Sequence, residues 1–142
     1  MMDKIQKRIG TWLLVFSLIF AGIPFSLERV RASESNLAFS ALASAKSSET
    51  QNPVQNINDG QASTRWAQDG EAPSSWVQLS WDTAQTMKSF RILWERRNAQ
   101  SYQLEISEDG STWKNISGKL SAPKSTAVEI TLPGAKSAKY LR

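Results

Sequence analysis

Two short polar segments of the chain have residue types suited to metal or ligand binding. In the first, Asp59-Gly60 begins a run that ends at Thr64 and brings together a carboxylate, hydroxyls and backbone carbonyls. Hard cations such as calcium prefer several oxygen ligands of these kinds, so residues 59–64 are a candidate metal site. The alternative is that Asp59 and Gly60 form an ordinary turn closed by a hydrogen bond to the Asp59 side chain.

The second segment, Glu95-Arg96-Arg97-Asn98, is the candidate ligand-binding loop. Its two guanidinium groups and its amide are planar hydrogen-bond donors, which suit the hydroxyl groups of a sugar. Gln68, with the acids Asp69 and Glu71 nearby, is predicted to line the same end of the molecule. The alternative is a solvated basic loop in which Glu95 makes a weak surface ion pair.

The composition removes most catalytic chemistry. Cysteine and histidine are both absent, so thiolate nucleophiles, Ser-His and Cys-His pairs and imidazole metal sites are excluded. A pair of carboxylates could in principle cleave a glycosidic bond, as Asp69 with Glu71 or Glu108 with Asp109. Both pairs lie in turn-like segments where solvated acids are expected, and we therefore predict that the chain is not an enzyme.

The first 32 residues have the order of a secretory signal. A basic stretch precedes an uncharged apolar run over residues 9–26, and the small residues Ala32 and Ser33 follow. The apolar core is shorter than the roughly 20 residues that a membrane span needs. We predict cleavage after Ala32, export, and one domain over residues 33–142, with an uncleaved anchor as the alternative.

The leader also carries most of the basic charge. The whole chain has a net charge of +4, and residues 1–32 hold five basic and two acidic residues, which leaves +1 for the remainder. The remaining charges are dispersed, whereas nucleic-acid and anionic-membrane partners need a clustered basic surface. The sequence therefore predicts neither a nucleic-acid partner nor strong membrane-lipid binding.

The elements that position these segments are predicted to be short β-strands. Apolar and polar residues alternate in the ranges 76–81, 90–94, 102–106 and 128–132. No amphipathic helix is long enough for a βαβ crossover. This pattern indicates an all-β antiparallel sandwich or barrel.

Weaker signals lie between these strands. Residues 37–41 are predicted to form a weak first strand, with an exposed lead-in as the alternative. Asn52-Pro53 is a predicted helix start in which Asn52 is the N-cap of a single turn. Asp109-Gly110 favours a two-residue hairpin loop, and residues 113–116 are the predicted returning strand. Tryptophans are candidate sugar platforms, but most are expected to pack inside the domain; they are Trp66, Trp76, Trp94 and Trp113.

Five motifs, in this order and spacing, resemble the coagulation factor 5/8 type C domain, also called discoidin, whose bacterial members overlap carbohydrate-binding module family 32. The resemblance extends over residues 36–142. It implies an eight-stranded antiparallel β-sandwich of the galactose-binding-domain-like jelly-roll type. The motifs are Asn56 to Trp66, Trp76 to Leu79, Trp94-Glu95 with Ala99 and Tyr102, Ser107 to Trp113, and Lys139 to Arg142.

The resemblance also implies roles for the two polar segments. Calcium would be held by the Asp59 carboxylate, the Gln61 carbonyl, and the hydroxyl and carbonyl of Thr64. Arg96 and Asn98, or Arg97 in place of Arg96, would donate hydrogen bonds to a galactose-like sugar.

The implied function is a secreted, non-catalytic carbohydrate-binding module for cell-surface or polysaccharide glycans. Such a module would be accessory to a catalytic domain in a longer protein, or part of an adhesin. The alternatives are a phospholipid- or protein-binding discoidin domain and, further off, a fragment of a glycoside hydrolase.

The chain departs from the family pattern in two places. Ser80-Trp81-Asp82 stands where the family has Asp-Leu-Gly. The family also continues beyond the position of Arg142 into closing strands, one of which supplies a further acidic metal ligand. We therefore expect a C-terminally incomplete domain with an exposed sheet edge that folds poorly or associates.

Overall fold

The computed structural model describes residues 35–97 and 99–142. The predicted leader, residues 1–32, and Asn98, a candidate ligand-binding residue, lie outside the described residues. Ser35–Arg142 form one compact unit. In this part of the chain no helix is both long enough and apolar enough to cross a membrane.

Seven antiparallel strands build the described domain, against the eight that the resemblance implies. Five of them form one sheet in the order β1-β2-β7-β4-β5, and β3 pairs with β6 in a second sheet. The predicted all-β antiparallel sandwich is confirmed. The strands are β1 (Leu42–Ala45), β2 (Val77–Leu93), β3 (Ser101–Tyr102), β4 (Glu105–Ser107), β5 (Lys114–Asn115), β6 (Leu120–Ser121) and β7 (Ala127–Leu141).

Two long strands hold the larger sheet together. β2 and β7 pair from Leu79 opposite Leu141 to Leu93 opposite Ala127, with register shifts after Ser80 and after Met87. The predicted strands 76–81 and 90–94 are thus two parts of β2. Bulges of this kind let a strand bend and keep its ladder, which explains why the polar residues between the two apolar patterns do not end the strand.

The core lies where β2, β4 and β7 meet. Met87, Ile106 and Ala138, one from each strand, form the buried cluster, and partly buried apolar side chains such as Trp81 and Phe90 pack against it. The alternation in residues 90–94 predicts that Leu93 faces outward, and this is confirmed because Leu93 is 62% exposed. Period-two patterning therefore places one face of β2 against the core.

The predicted first strand at residues 37–41 is wrong. Leu37–Ser40 form a 3-10 helix, in which Asn36 Oδ1 accepts a hydrogen bond from Ala38 N, and β1 begins two residues later at Leu42. The Asn58 amide donates to the carbonyls of Ala38 and Ala41 and so fixes the exit of this helix. Side-chain hydrogen bonds of this kind compete with strand pairing, which explains the helix.

The predicted N-cap at Asn52 is also wrong, although the helical turn is present. Val54–Ile57 form a 3-10 helix whose N-cap position is Pro53, with no side-chain cap. The Asn52 amide instead donates to the Glu49 carboxylate over 2.7 Å. The Asn52 backbone N–H also donates to the Glu49 carbonyl, so Asn52 belongs to the turn that precedes the helix.

The hairpin after β4 has the predicted returning strand but not the predicted two-residue loop. Ile106 pairs with Lys114, so seven residues separate the paired positions. Within the loop, the Asp109 carboxylate accepts hydrogen bonds from the backbone N–H groups of Ser111 and Thr112. Aspartate side chains commonly close turns in this way, and here that closure widens the loop.

The Asp109 turn should make stability depend on pH. Backbone N–H groups of Thr112 and Ser111, and next the Ser107 hydroxyl, hold the pKa of Asp109 well below its usual range. The unfolded carboxylate has a pKa of about 3.9. The stabilisation is therefore complete above that value and is lost as pH falls through the folded-state pKa. We expect the melting temperature of Asp109→Asn to fall less steeply below about pH 4 than that of wild type.

Thermal melts in a pH series measure this difference. Asp82→Asn removes the same charge from an exposed strand position and controls for the change in net charge. Superimposable pH profiles of wild type and Asp109→Asn would show that the turn contributes no linked stability.

Candidate functional site

The three predicted metal ligands lie together in the turn at residues 59–64. Asp59 Oδ1 accepts a hydrogen bond from Gln61 N at 2.8 Å, and Asp59 Oδ2 accepts one from Thr64 Oγ1 at 2.7 Å. Thr64 Oγ1 also lies 2.9 Å from the Gln61 carbonyl oxygen. Gly60 has a φ of +78°, a left-handed conformation that glycine adopts without strain. The turn thus gathers a carboxylate, a hydroxyl and a carbonyl within hydrogen-bonding distance.

This turn is suited to a hard cation but is weakly charged. The Thr64 hydroxyl and, next, the Gln61 backbone hold the pKa of Asp59 below its usual value, so the carboxylate stays ionised. Calcium takes six to eight oxygens. Within residues 35–97 and 99–142 no group of three or more acidic side chains could hold a metal ion by itself. The turn can therefore supply part of a calcium shell.

Three loops meet to form the candidate ligand site, which we call the loop cluster. Loop A comprises residues 65–71, loop B residues 95–97 and loop C residues 123–126. Arg65 Nε lies 3.1 Å from the Glu95 carboxylate, which joins loops A and B. Arg97 Nη1 donates to the Lys124 carbonyl over 3.0 Å, which joins loops B and C. Trp94 directly precedes loop B, and its backbone N–H donates to the Thr126 carbonyl of loop C.

The predicted ligand-binding residues differ in how free their side chains are. The Arg96 side chain is 79% exposed, and its Nε reaches only to 4.0 Å from Glu95. Arg97 is tied to loop C, and Glu95 is tied to Arg65. Gln68 donates to the Gly70 carbonyl within loop A. Arg96 is therefore the side chain of loop B best placed to donate to a ligand.

Sequence reasoning assigned no role to Arg65 or Lys124. Arg65 closes loop A on loop B, and the Lys124 carbonyl anchors Arg97. Each pair is separated by about thirty residues of sequence, 30 between Arg65 and Glu95 and 27 between Arg97 and Lys124. No local motif marks a pair of that separation, so only the folded chain could identify it.

The tryptophans mostly pack, and one is more exposed. Trp66 Nε1 donates to the Ser47 carbonyl and the Ser48 hydroxyl, and Trp113 meets the Tyr140 ring edge-on at 6.5 Å. Trp94 meets the Tyr102 ring at 5.3 Å, and its buried Nε1 has no acceptor among the described residues. Trp76, at 37% exposed, is the least covered of these four.

The model of the F5/8 type C domain matches residues 40–142. The chain belongs to the F5/8 type C domain family. The predicted family is thereby confirmed, and with it a sandwich of the carbohydrate-binding-module type. No curated protein matches the chain.

Solved structures similar to this F5/8 type C domain include several carbohydrate-binding modules. A chitosan-binding module of a chitosanase/glucanase from Paenibacillus sp. IK-5 shares 26% identity, with a TM-score of 0.68 and coverage of 75% of this chain and 83% of that one. A pectin-binding module shares 26% identity, with a TM-score of 0.58 and coverage of 70% and 73%. The family 32 module of NanJ from C. perfringens, solved with galactose, shares 17% identity, with a TM-score of 0.64 and coverage of 73% and 80%.

Proposed function

We propose that this domain is an exported, non-catalytic carbohydrate-binding module that holds a glycan at the loop cluster. The observation that carries the proposal is the family match together with the two binding modules at 26% identity. One of them is described as binding chitosan and the other as binding pectin, so polysaccharide is the ligand class that they share. Export follows from the leader-like order of residues 1–32, and the module serves a longer glycan-active or adhesive protein.

The geometry of the loop cluster supports this function. Contacts from Arg65 to Glu95 and from Arg97 to Lys124 hold three loops side by side, which provides the preformed surface that small ligands need. The exposed Arg96 guanidinium offers several donors in one plane to sugar oxygens. We assign Arg96 and Asn98 as the main donors, with Gln68 at the rim.

The absence of a catalytic role is part of the same proposal. Asp109 is held by four hydrogen-bond donors within its own turn, and its lowered pKa prevents it from acting as a general acid near neutral pH. Asp69 and Glu71 are exposed on loop A. Solvated carboxylates of this kind lack the enclosed surroundings in which a catalytic acid works.

We also propose that the turn at residues 59–64 holds calcium through Asp59, Gln61 and Thr64. Thr64 directly precedes Arg65, so an ion in this turn would fix the residue that closes loop A on loop B. The calcium role is structural and supplies no chemistry to the ligand.

A glycan array tests the proposed function with the full chain and an Arg96→Ala, Asn98→Ala double variant. Loss of charge-assisted hydrogen bonds is expected to weaken binding about tenfold or more. Lys88→Ala removes a positive side chain from an exposed position of β2 outside the loop cluster and should bind as wild type does. A folded wild-type protein that binds no glycan would contradict the proposal.

A further inference from the structure

An open groove runs along β6 beside the loop cluster, and we call it the β6 groove. It has two adjoining parts of about 320 and about 330 Å³, which share Leu120 and Ser121. These volumes lie at the lower end of the range for ligand sites. Lys119 lines the first part, and Tyr102 and Lys124 line the second.

The β6 groove is continuous with the loop cluster through loop C. Lys124 lines the groove, and its backbone carbonyl accepts the hydrogen bond from Arg97 of loop B. Pro123 and Ser125 of loop C line the groove as well, so the groove begins where loop C contacts loop B. A polymer can follow such a path, whereas a monosaccharide can fill only one end of it.

The charges along this path are mainly positive. Among the described residues, no ion pair forms at the ammonium groups of Lys119 or Lys124, and Arg96 has only its distant contact with Glu95. Glu95 itself is neutralised by Arg65. One acid, Glu129, lines the second part of the groove; it lies opposite Arg91 on the neighbouring strand and, among the described residues, forms no ion pair with it.

The remaining acids of the loop cluster, Asp69 and Glu71, are exposed on loop A. Loop A contributes no residue to the lining of the β6 groove. Positive groups spaced along an open groove attract a chain that carries a repeated negative charge.

From these observations we propose that the β6 groove binds the successive residues of an acidic polysaccharide, a polymer with a carboxylate on its sugar units. The inference rests on the proposed glycan-binding function and adds to it the charge class and length of the ligand. Loop B holds one sugar, and Lys124 and Lys119 pair with the carboxylates of those that follow.

Calorimetric titration of the full chain tests the groove with galacturonic acid, its tetramer, and a neutral galactose tetramer. The acidic tetramer is expected to bind about tenfold more tightly than the acidic monosaccharide, with a gain that shrinks as sodium chloride rises from about 0.05 to about 0.5 M. A Lys119→Gln, Lys124→Gln variant should lose that gain and keep its affinity for the monosaccharide within about twofold.

A Lys114→Gln, Lys139→Gln variant is the matched control, since both lysines are exposed on strands outside the groove. It removes the same charge and should keep the preference for the tetramer. Three outcomes would overturn the proposed role of the groove and leave the proposed function standing. They are equal affinity for the acidic monosaccharide and the acidic tetramer, equal affinity for the acidic and the neutral tetramer, and an equal loss of tetramer affinity in the control variant.

Two further outcomes distinguish a failure of the groove from a failure of the proposed glycan-binding function. No binding to any glycan by folded wild-type protein would count against the proposed function itself. Binding to phosphatidylserine vesicles that depends on Lys119 and Lys124, without binding to the acidic tetramer, would overturn the groove as a glycan site and assign these lysines to lipid.

Discussion

Ile106→Ala is expected to lower the free energy of unfolding by about 3 kcal/mol. Ile106 is 9% exposed and packs with Met87 and Ala138 in the buried cluster where three strands meet. Truncation to alanine removes three methyl or methylene groups and leaves a cavity that neighbours fill only partly. A domain of this size has a total stability of about 5–15 kcal/mol, so the loss is a large part of it.

Urea denaturation followed by tryptophan fluorescence measures this loss. Leu93→Ala is the matched control, because Leu93 loses a similar amount of apolar surface from a residue that is 62% exposed. It should change the stability by no more than about 0.5 kcal/mol. Equal losses in the two variants would mean that β4 does not close the core.

Calcium is expected to raise the melting temperature of wild type by about 5 °C when its free concentration is about ten times the dissociation constant. The Asp59→Asn variant should lose this increase. The asparagine keeps the size of the side chain and an oxygen at Oδ1, but it removes the ionised carboxylate that a hard cation needs. Differential scanning fluorimetry with and without a chelator gives the comparison.

Asp69→Asn and magnesium are the controls for this effect. Asp69 is an exposed carboxylate on loop A, and its replacement should leave the calcium effect intact. Magnesium demands a tighter octahedral shell, so it should give a smaller increase at the same concentration. A calcium effect that survives in Asp59→Asn would show that calcium binds outside this turn. The absence of a calcium effect in wild type would contradict the proposed calcium site altogether.

Local chemistry made some parts of the site predictable. The sequence places an acid, a glycine and a threonine within six residues, and these residues do converge in the turn at 59–64. The period-two pattern of residues 90–94 likewise predicts the buried and exposed faces of the end of β2, because a strand imposes that alternation on each residue in turn. Both features depend on neighbours in the chain.

The wrong secondary-structure predictions concern segments in which a side chain has several hydrogen-bond partners available. Asn36, Asn52 and Asp109 each make a local hydrogen bond that changes the element around them: a 3-10 helix in place of a strand, a turn without its predicted N-cap, and a wider loop. Propensity treats these residues as turn formers or caps in general. It does not say which acceptor or donor the fold brings within reach.

The sequence by itself determined the family and the all-β class, and it predicted residues for both candidate sites, because motif order, strand periodicity and oxygen-rich turns are local properties of the chain. Tertiary structure alone decided that Arg65 neutralises Glu95, that Arg97 is tied to Lys124, and that Lys119 and Lys124 line one groove. These contacts join residues far apart in sequence, and their energies depend on distances that exist only once β2 and β7 have paired. The charge of the proposed binding surface is therefore a property of the fold.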